Sequence, residues 1–261
     1  MDEVNKTLYI PLYGKAWVSK QNMILKDPMA EKIWESQGFQ LGRKSKSKWL
    51  CYNMAMRARI FDDWADTMLE EHKDALVVHV GCGLDGRCKR VRTPYREWYD
   101  CDFPDVISIR KKYYEETEKY HMIALNAAEA GQVKDLPDSD TVIVILEGIS
   151  MYLTNDQVRD FCLALQDKYE HVHVLMDVYT VFGAKASKYK NPINEVGCAL
   201  VYGIDDIEKL LSGLKIGLKQ EHSMTPARLV DELKPGERRL FRLLFTGKAY
   251  RKIYRLYELE G

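Results

Sequence analysis

The sequence of 261 residues predicts an α/β fold with a mostly parallel sheet, and three observations support this prediction. Short runs rich in β-branched residues alternate with helical segments, which is the pattern of parallel strands joined by crossover helices. One run, TVIVILE at 141–147, is apolar nearly throughout, as expected of a central strand that is covered on both faces. A glycine-rich loop follows another run, ALVVHV at 75–80, and this is the usual place of a nucleotide site in such folds.

The N-terminal part of the chain predicts helices rather than strands. Residues 1–48 hold no clean strand pattern. From Trp49 to His72, apolar residues recur every three or four positions, which predicts a long helix whose buried stripe is Leu50, Met54, Ala58, Phe61, Ala65 and Met68. We therefore expect a helical extension ahead of the first strand.

The strands begin at position 75. The pattern predicts five of them, at 75–80, 96–102, 121–126, 141–147 and 171–178. A helix is predicted at 155–169, starting from the capping-box pair Thr154 and Gln157. Two more strands are predicted at 213–224 and 249–260. Because no crossover helix has to follow the last strand, it can run antiparallel to its neighbour.

Composition narrows the function classes. The 39 Lys and Arg residues balance the 39 Asp and Glu residues, so we expect no nucleic-acid or membrane partner. The first residues lack the pattern of a signal peptide, and the six cysteines show no CxxC spacing. We therefore expect a cytoplasmic protein without a metal site. The pair His171 and His173 is expected to mark a solvent-facing side of its strand, and Cys82 to be a small packing residue.

The glycine loop fits two classes of cofactor. Gly81, Gly83 and Gly86 form the G-x-G-x-x-G pattern of NAD sites, and S-adenosylmethionine sites often look the same. The segment RCKRVRTP after Gly86 reaches Pro94 within eight residues, which makes a poor crossover helix for a pyrophosphate. This favours S-adenosylmethionine, with an NAD-dependent oxidoreductase as the alternative.

Four segments occur in order that resemble the leucine carboxyl methyltransferase superfamily, especially its bacterial branch of polyketide O-methyltransferases. They are RARIFDDW (57–64), VVHVGCGLDGR (77–87), WYDCDFPDVISIRKKY (98–113) and VILEGISMYLTNDQVRDF (144–161). The resemblance implies a class I S-adenosylmethionine-dependent methyltransferase fold, with a seven-stranded, mostly parallel sheet and an antiparallel last strand. It implies one domain over 1–261, divided into a helical cap (1–72), a cofactor-binding core (73–178), a lid insertion (179–203) and C-terminal strands (204–261).

The resemblance also implies which residues hold the methionine part of S-adenosylmethionine. The family's carboxylate-binding arginine corresponds to Arg59. Arg57 lies only two positions earlier and is an alternative for the same role. Lys15 stands at the position of a second basic group, and Glu147 at that of the acid near the amino end of the methionine part.

The adenosine part is expected to lie on the glycine loop. The resemblance assigns Gly81 and Gly83 to this loop and Asp102 to the ribose. Asp100 stands two residues earlier on the same side of the strand and is left as an alternative ribose ligand. At the adenine the family usually has an aspartate, whereas this sequence has Asn126, whose amide oxygen can still accept a hydrogen bond.

The reaction implied is methyl transfer to an oxygen of a small-molecule acceptor, which leaves S-adenosylhomocysteine as product. A carboxylate acceptor is already anionic near neutral pH and needs no general base, whereas a phenol benefits from one. The sequence shows no unmistakable base, which favours a carboxylate or another acidic oxygen, and no catalytic residue is assigned. A methyltransferase-like protein that binds the nucleotide without catalysis is a further alternative.

Overall fold

The computed structural model describes residues 8–37, 41–42, 44–190 and 200–261. Within these residues the chain forms one sheet of seven strands: β1 (Leu76–Val80), β2 (Glu97–Asp102), β3 (Tyr120–Ala124), β4 (Thr141–Leu146), β5 (His171–Tyr179), β6 (Gly217–His222) and β7 (Tyr254–Glu260). Their order is β3-β2-β1-β4-β5-β7-β6. The first five strands are parallel, and β7 runs antiparallel to both β5 and β6. The predicted class I methyltransferase architecture is confirmed.

The centre of the sheet is covered on both faces. Every residue of β1 is buried, and so are five of the six residues of β4. Because side chains alternate along a strand, Val77 and Ile143 join one hydrophobic cluster while Val78 and Val144 join the other. This explains why the sequence of both strands is an unbroken apolar run.

Helices from the N-terminal part cover one face. They are α1 (Tyr9–Lys20), α2 (Pro28–Gln37) and the 24-residue α3 (Lys48–Glu71), which agrees with the helix predicted at 49–72. Of the predicted buried stripe of α3, Ala58, Phe61, Ala65 and Met68 are buried, whereas Leu50 and Met54 are half-buried. The buried side of the helix also carries Arg57, Asp62 and Asp66. Buried charges on a helix require partners, and these partners define the site described below.

The α-helices between β1 and β6 range in length from four to 14 residues. They are α4 (Arg87–Arg90), α5 (Pro104–Arg110), α6 (Asn155–Lys168), α7 (Val181–Lys190) and α8 (Ile207–Leu210). The capping box predicted for α6 is present, since Thr154 accepts from the Gln157 backbone N–H and the Gln157 side chain accepts from the Thr154 N–H. The predicted lid contains α7, and its residues 191–199 lie outside the described residues.

Both C-terminal strands are shorter than predicted. Residues before β7 form α9 (Ala227–Val230), α10 (Pro235–Phe245) and α11 (Gly247–Arg251), so the prediction of a strand from 249 is wrong for its first five residues. Gly247 turns the chain with a φ of 73°, and Tyr250 packs its ring against Phe245. This tertiary contact outweighs the β propensity of the segment. Across the described residues, no helix is both long and apolar enough to cross a membrane.

Candidate active site

A cavity of about 550 Å³ opens at the carboxyl ends of the parallel strands. It lies beside the point where the strand order reverses, between β1 and β4, which is where ligands bind in open α/β sheets. Its walls are the glycine loop after β1, the ends of β2, β3 and β4, residues of α1 and α3, and Tyr254 of β7.

The glycine loop requires its first two glycines. Gly81 and Gly83 have φ angles of 69° and 51°, in the left-handed region that other residues rarely adopt. A Cβ atom on Gly81 would also overlap the side chain of Ile149. The Gly83 N–H donates to Asp102 Oδ2 at 2.8 Å, so the loop and the end of β2 are joined by one hydrogen bond.

Asp102 and Asp100 have different surroundings although they lie on the same strand. Asp102 lines the cavity, and burial raises the pKa of its carboxyl. Asp100 is wholly buried and bound by Arg110, by the Trp98 indole at 2.9 Å and by the Tyr120 hydroxyl at 2.7 Å. Burial alone would raise the pKa of Asp100, but the charge of Arg110 together with the hydrogen bonds of His79 and Tyr120 lowers it to about 2. Asp100 is therefore enclosed by protein groups, whereas Asp102 is the carboxylate that faces the cavity.

Arg57 is the arginine that enters the cavity. Its Nε donates to Glu147 Oε1 at 3.0 Å, and its Nη1 donates to Asp177 Oδ2 at 2.9 Å and to the Tyr254 hydroxyl at 2.7 Å. Nη2 donates no hydrogen bond to the described residues, and a Cβ on Gly148 would lie 3.0 Å from it. The guanidinium is thus held on one edge and available to a ligand on the other.

Arg59 does not line the cavity. Its Nε donates to Asp63 Oδ1 at 2.8 Å and its Nη1 to the Ile24 carbonyl at 3.1 Å, at a half-buried position. Two residues along a helix correspond to a rotation of about 200°, so neighbours at this spacing face opposite sides. Of the two arginines that the resemblance left open, Arg57 lines the cavity and Arg59 does not.

Lys15 and Glu147 both line the cavity, as the resemblance implies, and each is already paired. Lys15 on α1 forms a buried ion pair with Asp85 in the glycine loop. Glu147 accepts from Arg57 and from Arg87. Burial alone would raise the pKa of Glu147, but the charges of Arg87 and Arg57 lower it to about 2. Glu147 therefore stays ionised at every physiological pH.

Asn126 lies at the other end of the cavity, after β3. Its Oδ1 accepts from the Ala128 N–H at 3.0 Å and its Nδ2 donates to Glu129 at 2.9 Å. The amide thus shapes its own turn and also borders the cavity, whose lining includes Phe103 and Pro104.

The cavity lining is rich in negative charge. It contains four carboxylates, Asp85, Asp102, Asp105 and Glu147, and two cations, Lys15 and Arg57, both of which are paired with acids. A pyrophosphate would add two negative charges to a lining in which carboxylates already outnumber these cations. A sulfonium cation that also carries an ammonium group fits this lining better.

A family model identifies the family to which the chain belongs. The model of the leucine carboxyl methyltransferase family matches residues 10–165, which include the glycine loop and every acidic and basic residue discussed above except Asp177. The chain belongs to the leucine carboxyl methyltransferase family. It is an S-adenosylmethionine-dependent methyltransferase, and the alternative of an NAD-dependent oxidoreductase is not supported.

Two curated relatives of this methyltransferase cover most of the chain. The tetracenomycin polyketide synthesis O-methyltransferase TcmP of Streptomyces glaucescens is 27% identical over 240 residues, covering 90% of this chain and 88% of that protein. The S-adenosyl-L-methionine-dependent methyltransferase dpfgK of Gibberella zeae is 25% identical over 238 residues, covering 80% of this chain and 79% of that protein.

Solved structures confirm the fold of the methyltransferase. A putative methyltransferase from Thermobifida fusca superposes with a TM-score of 0.57 at 12% identity, covering 88% of this chain and 86% of the other. Magnesium protoporphyrin IX methyltransferase ChlM from Synechocystis, solved with bound S-adenosylhomocysteine, gives a TM-score of 0.52 at 12% identity, covering 89% and 92%.

Sequence reasoning missed the basic residues that organise this methyltransferase's site. The segment after Gly86 was expected to be a poor helix with little to bury, yet Arg87 is wholly buried and Arg90 nearly so. Arg87 donates to Asp62 Oδ1 at 2.7 Å, and Arg90 donates from Nε to Asp62 Oδ2 at the same distance. The signal was the acidic stripe at 62, 63 and 66 of a helix predicted to be buried, because buried acids need basic partners.

Two minor expectations have different outcomes. His173 is buried and stacks near His72 at 4.3 Å between ring centres, so the prediction of a solvent-facing position is wrong for it. Cys82 is buried, and burial raises the pKa of its thiol well above the usual value, which agrees with a packing role. Among the described residues, no group of three His, Cys, Asp or Glu side chains is placed to hold a metal ion.

Proposed function

We propose that this methyltransferase transfers the methyl group of S-adenosylmethionine to an acidic oxygen of a small molecule. The observation that carries the proposal is the mixed lining of the cavity. Carboxylates and the glycine loop form its charged part, and its apolar part consists of aromatic and aliphatic side chains, Tyr179, Tyr254, Leu50, Met54 and Met151. A cavity of about 550 Å³ is in the size range that holds small ligands.

At the charged end, Arg57 and Lys15 are proposed to bind the methionine carboxylate. The open Nη2 of Arg57 supplies a charge-assisted hydrogen bond, and Lys15 is available if the carboxylate competes with Asp85. Glu147 and Asp85 are then left to attract the ammonium group of the same ligand. Both remain ionised, because neighbouring cations outweigh burial and lower their pKa values.

At the adenosine end, Asp102 is proposed to accept hydrogen bonds from the ribose hydroxyls. The backbone of Gly81 and Gly83 allows the nucleoside to approach the end of β1 without a side chain between them. Asn126 is proposed to border the adenine, with Phe103 available to pack against the base. Methyl transfer then requires the acceptor oxygen to be held in line with the methyl carbon and the sulfur.

A methyl-transfer assay tests the proposal. The chain is incubated with methyl-labelled S-adenosylmethionine and a panel of aromatic carboxylic acids and phenols, and organic-extractable label is counted. We expect labelled methyl ester or ether with at least one class of acceptor. Tight binding of S-adenosylhomocysteine with no labelled product from either class would instead support the catalytically silent alternative.

A further inference from the structure

Tyr254 stands where the apolar end of the cavity meets the buried charges. It lies on β7 opposite Tyr179 of β5, and the two rings are 4.9 Å apart. Its hydroxyl donates to Asp177 Oδ2 and accepts from Arg57 Nη1 at 2.7 Å. Burial raises the pKa of Tyr254 well above its usual value, so the hydroxyl keeps its own proton. A phenol oxygen with one donor bound can still accept a second hydrogen bond, here from a ligand in the cavity.

Asp177 accepts the hydrogen bond that the Tyr254 hydroxyl donates. It is wholly buried on β5, and its Oδ1 accepts from the Gly148 N–H at 2.6 Å. The charged and titratable groups around it are Arg57 from α3, Glu147 from the end of β4, Tyr254 from β7 and Tyr250 from α11.

The pKa values of the two neighbouring carboxyls, Asp177 and Glu147, are shifted in opposite directions. Burial raises the pKa of Asp177 despite the charge of Arg57, whereas Arg87 and Arg57 together lower the pKa of Glu147 to about 2. When the pKa values of two neighbouring carboxyls differ in this way, one carboxyl stays anionic and the other can take a proton. Asp177 is the one that can take it.

The apolar end of the cavity also favours an acceptor that arrives without charge. Among the described residues of the lining, the lysine and arginine side chains are Lys15 and Arg57, and the proposed function assigns both to the methionine carboxylate. A carboxylate acceptor placed there would lose hydration without gaining a free cation. A neutral hydroxyl on an aromatic or enolic ring would instead pack between Tyr179, Tyr254 and Met54.

We propose that Tyr254 and Asp177 form a proton relay that accepts the proton of a weakly acidic hydroxyl, such as a phenol or an enol, during methyl transfer. This inference rests on the proposed function and names the acceptor class. The acceptor oxygen forms a bond to the methyl carbon while the carbon–sulfur bond breaks, and its electron pair stays on sulfur as S-adenosylhomocysteine. The acceptor proton moves to Tyr254 Oη as the tyrosine's own proton moves to Asp177 Oδ2. Tyr254 is the catalytic residue, and Asp177 acts through it.

The relay is tested with 4-nitrophenol, whose phenolate is visible by absorbance. The chain is saturated with S-adenosylhomocysteine and titrated with the probe at a pH below the probe's solution pKa. We expect a phenolate fraction in the bound probe that is roughly tenfold above that of free probe, equivalent to about one pKa unit. The absence of excess phenolate in the wild-type chain, whether the probe stays neutral or does not bind, overturns the relay.

Two variants and a control separate the relay from mere support of Arg57. Tyr254→Phe removes the hydroxyl, and Asp177→Asn keeps a hydrogen-bond partner but cannot take the proton at neutral pH. Tyr257→Phe on the same strand removes a hydroxyl that contacts Arg255 and does not line the cavity, so it should behave as wild type. Tyr254→Phe should abolish the excess phenolate and slow methylation of 4-nitrophenol by 10²–10⁴-fold, the usual contribution of a general base.

The outcomes also distinguish the relay from the proposed function. Tyr254→Phe should bind S-adenosylhomocysteine within about threefold of wild type, because Arg57 keeps its contacts to Glu147 and Asp177. Equal loss of cofactor binding and methylation would assign Tyr254 a supporting role and overturn the relay. Methylation of aryl carboxylates but not of phenols would also overturn it, while leaving the O-methyltransferase assignment intact.

Discussion

Arg57 and Arg59 lie two positions apart on α3 and serve different parts of the molecule. Arg57 reaches the cavity and bonds Glu147 at 3.0 Å, whereas Arg59 pairs with Asp63 on its own helix at 2.8 Å. The first pair joins the helical N-terminal layer to the end of β4, and the second is a partly exposed contact one helical turn long. This difference makes the two arginines a matched pair for testing how the cofactor is held.

Substitution of Arg57 should selectively weaken ligands that carry a carboxylate. We expect Arg57→Lys to lower the affinity for S-adenosylhomocysteine several-fold to a hundredfold, because an ammonium cannot serve Glu147, Asp177 and a ligand together. Affinity for adenosine should barely change. Arg59→Ala should leave both affinities near wild type, since exposed pairs of this spacing are worth about 0.3–0.5 kcal/mol. Calorimetric titration measures both, and an equal loss for the two ligands would indicate a disturbed fold instead.

Substitution of Asp102 should affect ligand binding, whereas substitution of Asp100 should affect the stability of the fold. We expect Asp102→Asn to weaken S-adenosylhomocysteine binding by roughly 1.5–3 kcal/mol, the scale of a hydrogen bond to a charged group. Asp100→Asn should instead destabilise the fold by roughly 3–5 kcal/mol, because it leaves Arg110 buried without its acid. Urea unfolding and calorimetry on both variants give the comparison. A stable Asp100→Asn protein that has lost its ligand affinity would reverse these roles.

Gly148 should be required for the position of Arg57. It has a φ of 74°, and a Cβ there would lie 3.0 Å from Arg57 Nη2. We expect Gly148→Ala to cost about 1–2 kcal/mol of stability from the left-handed backbone and to weaken S-adenosylhomocysteine binding in addition. Gly213 is the control, because its φ is 82° and its Cβ would meet open space. Gly213→Ala should therefore show the stability loss alone, and equal binding by the two variants would contradict the contact.

Stability should fall on acidification through the buried carboxylates. The pKa of Asp100 is lowered to about 2 in the folded chain from an ordinary value of 3.8, so its contribution is complete above about pH 4 and is lost as the pH falls towards 2. This single group accounts for roughly 2–3 kcal/mol. We expect the free energy of unfolding, measured at pH 7, 5, 4 and 3, to decrease mainly between pH 4 and pH 3. Asp100→Asn should be less stable at pH 7 and show a flatter profile, and parallel profiles would contradict the assignment.

Most of the fold was predictable because its signals are local. The apolar runs of β1 and β4, the periodic stripe of α3 and the capping box of α6 each act through neighbouring residues in the chain. The segment 249–253 was not predictable in this way, because it forms the end of α11 and a turn, where Tyr250 packs against the hydrophobic core.

The candidate site was only partly predictable, for a related reason. The motifs indicated Gly81, Asp102 and Glu147, but a two-residue ambiguity on α3 left both Arg57 and Arg59 as candidates. The relation of Tyr254 to Asp177 spans two strands that are 77 residues apart in the chain, and no local pattern reveals it. A network of charged residues depends on which helices and strands are in contact in the fold, and the order of residues in the sequence does not reveal these contacts.

Calorimetric titration of the intact chain with S-adenosylhomocysteine and with NAD, side by side, tests the central claim most directly. The cavity lining carries four carboxylates against the two cations Lys15 and Arg57, so it should accept the zwitterionic methionine part, whose ammonium group meets the excess negative charge, and repel a pyrophosphate. We expect saturable binding of S-adenosylhomocysteine with one site per chain and no measurable heat with NAD. Saturable binding of NAD without a response to S-adenosylhomocysteine would contradict the account.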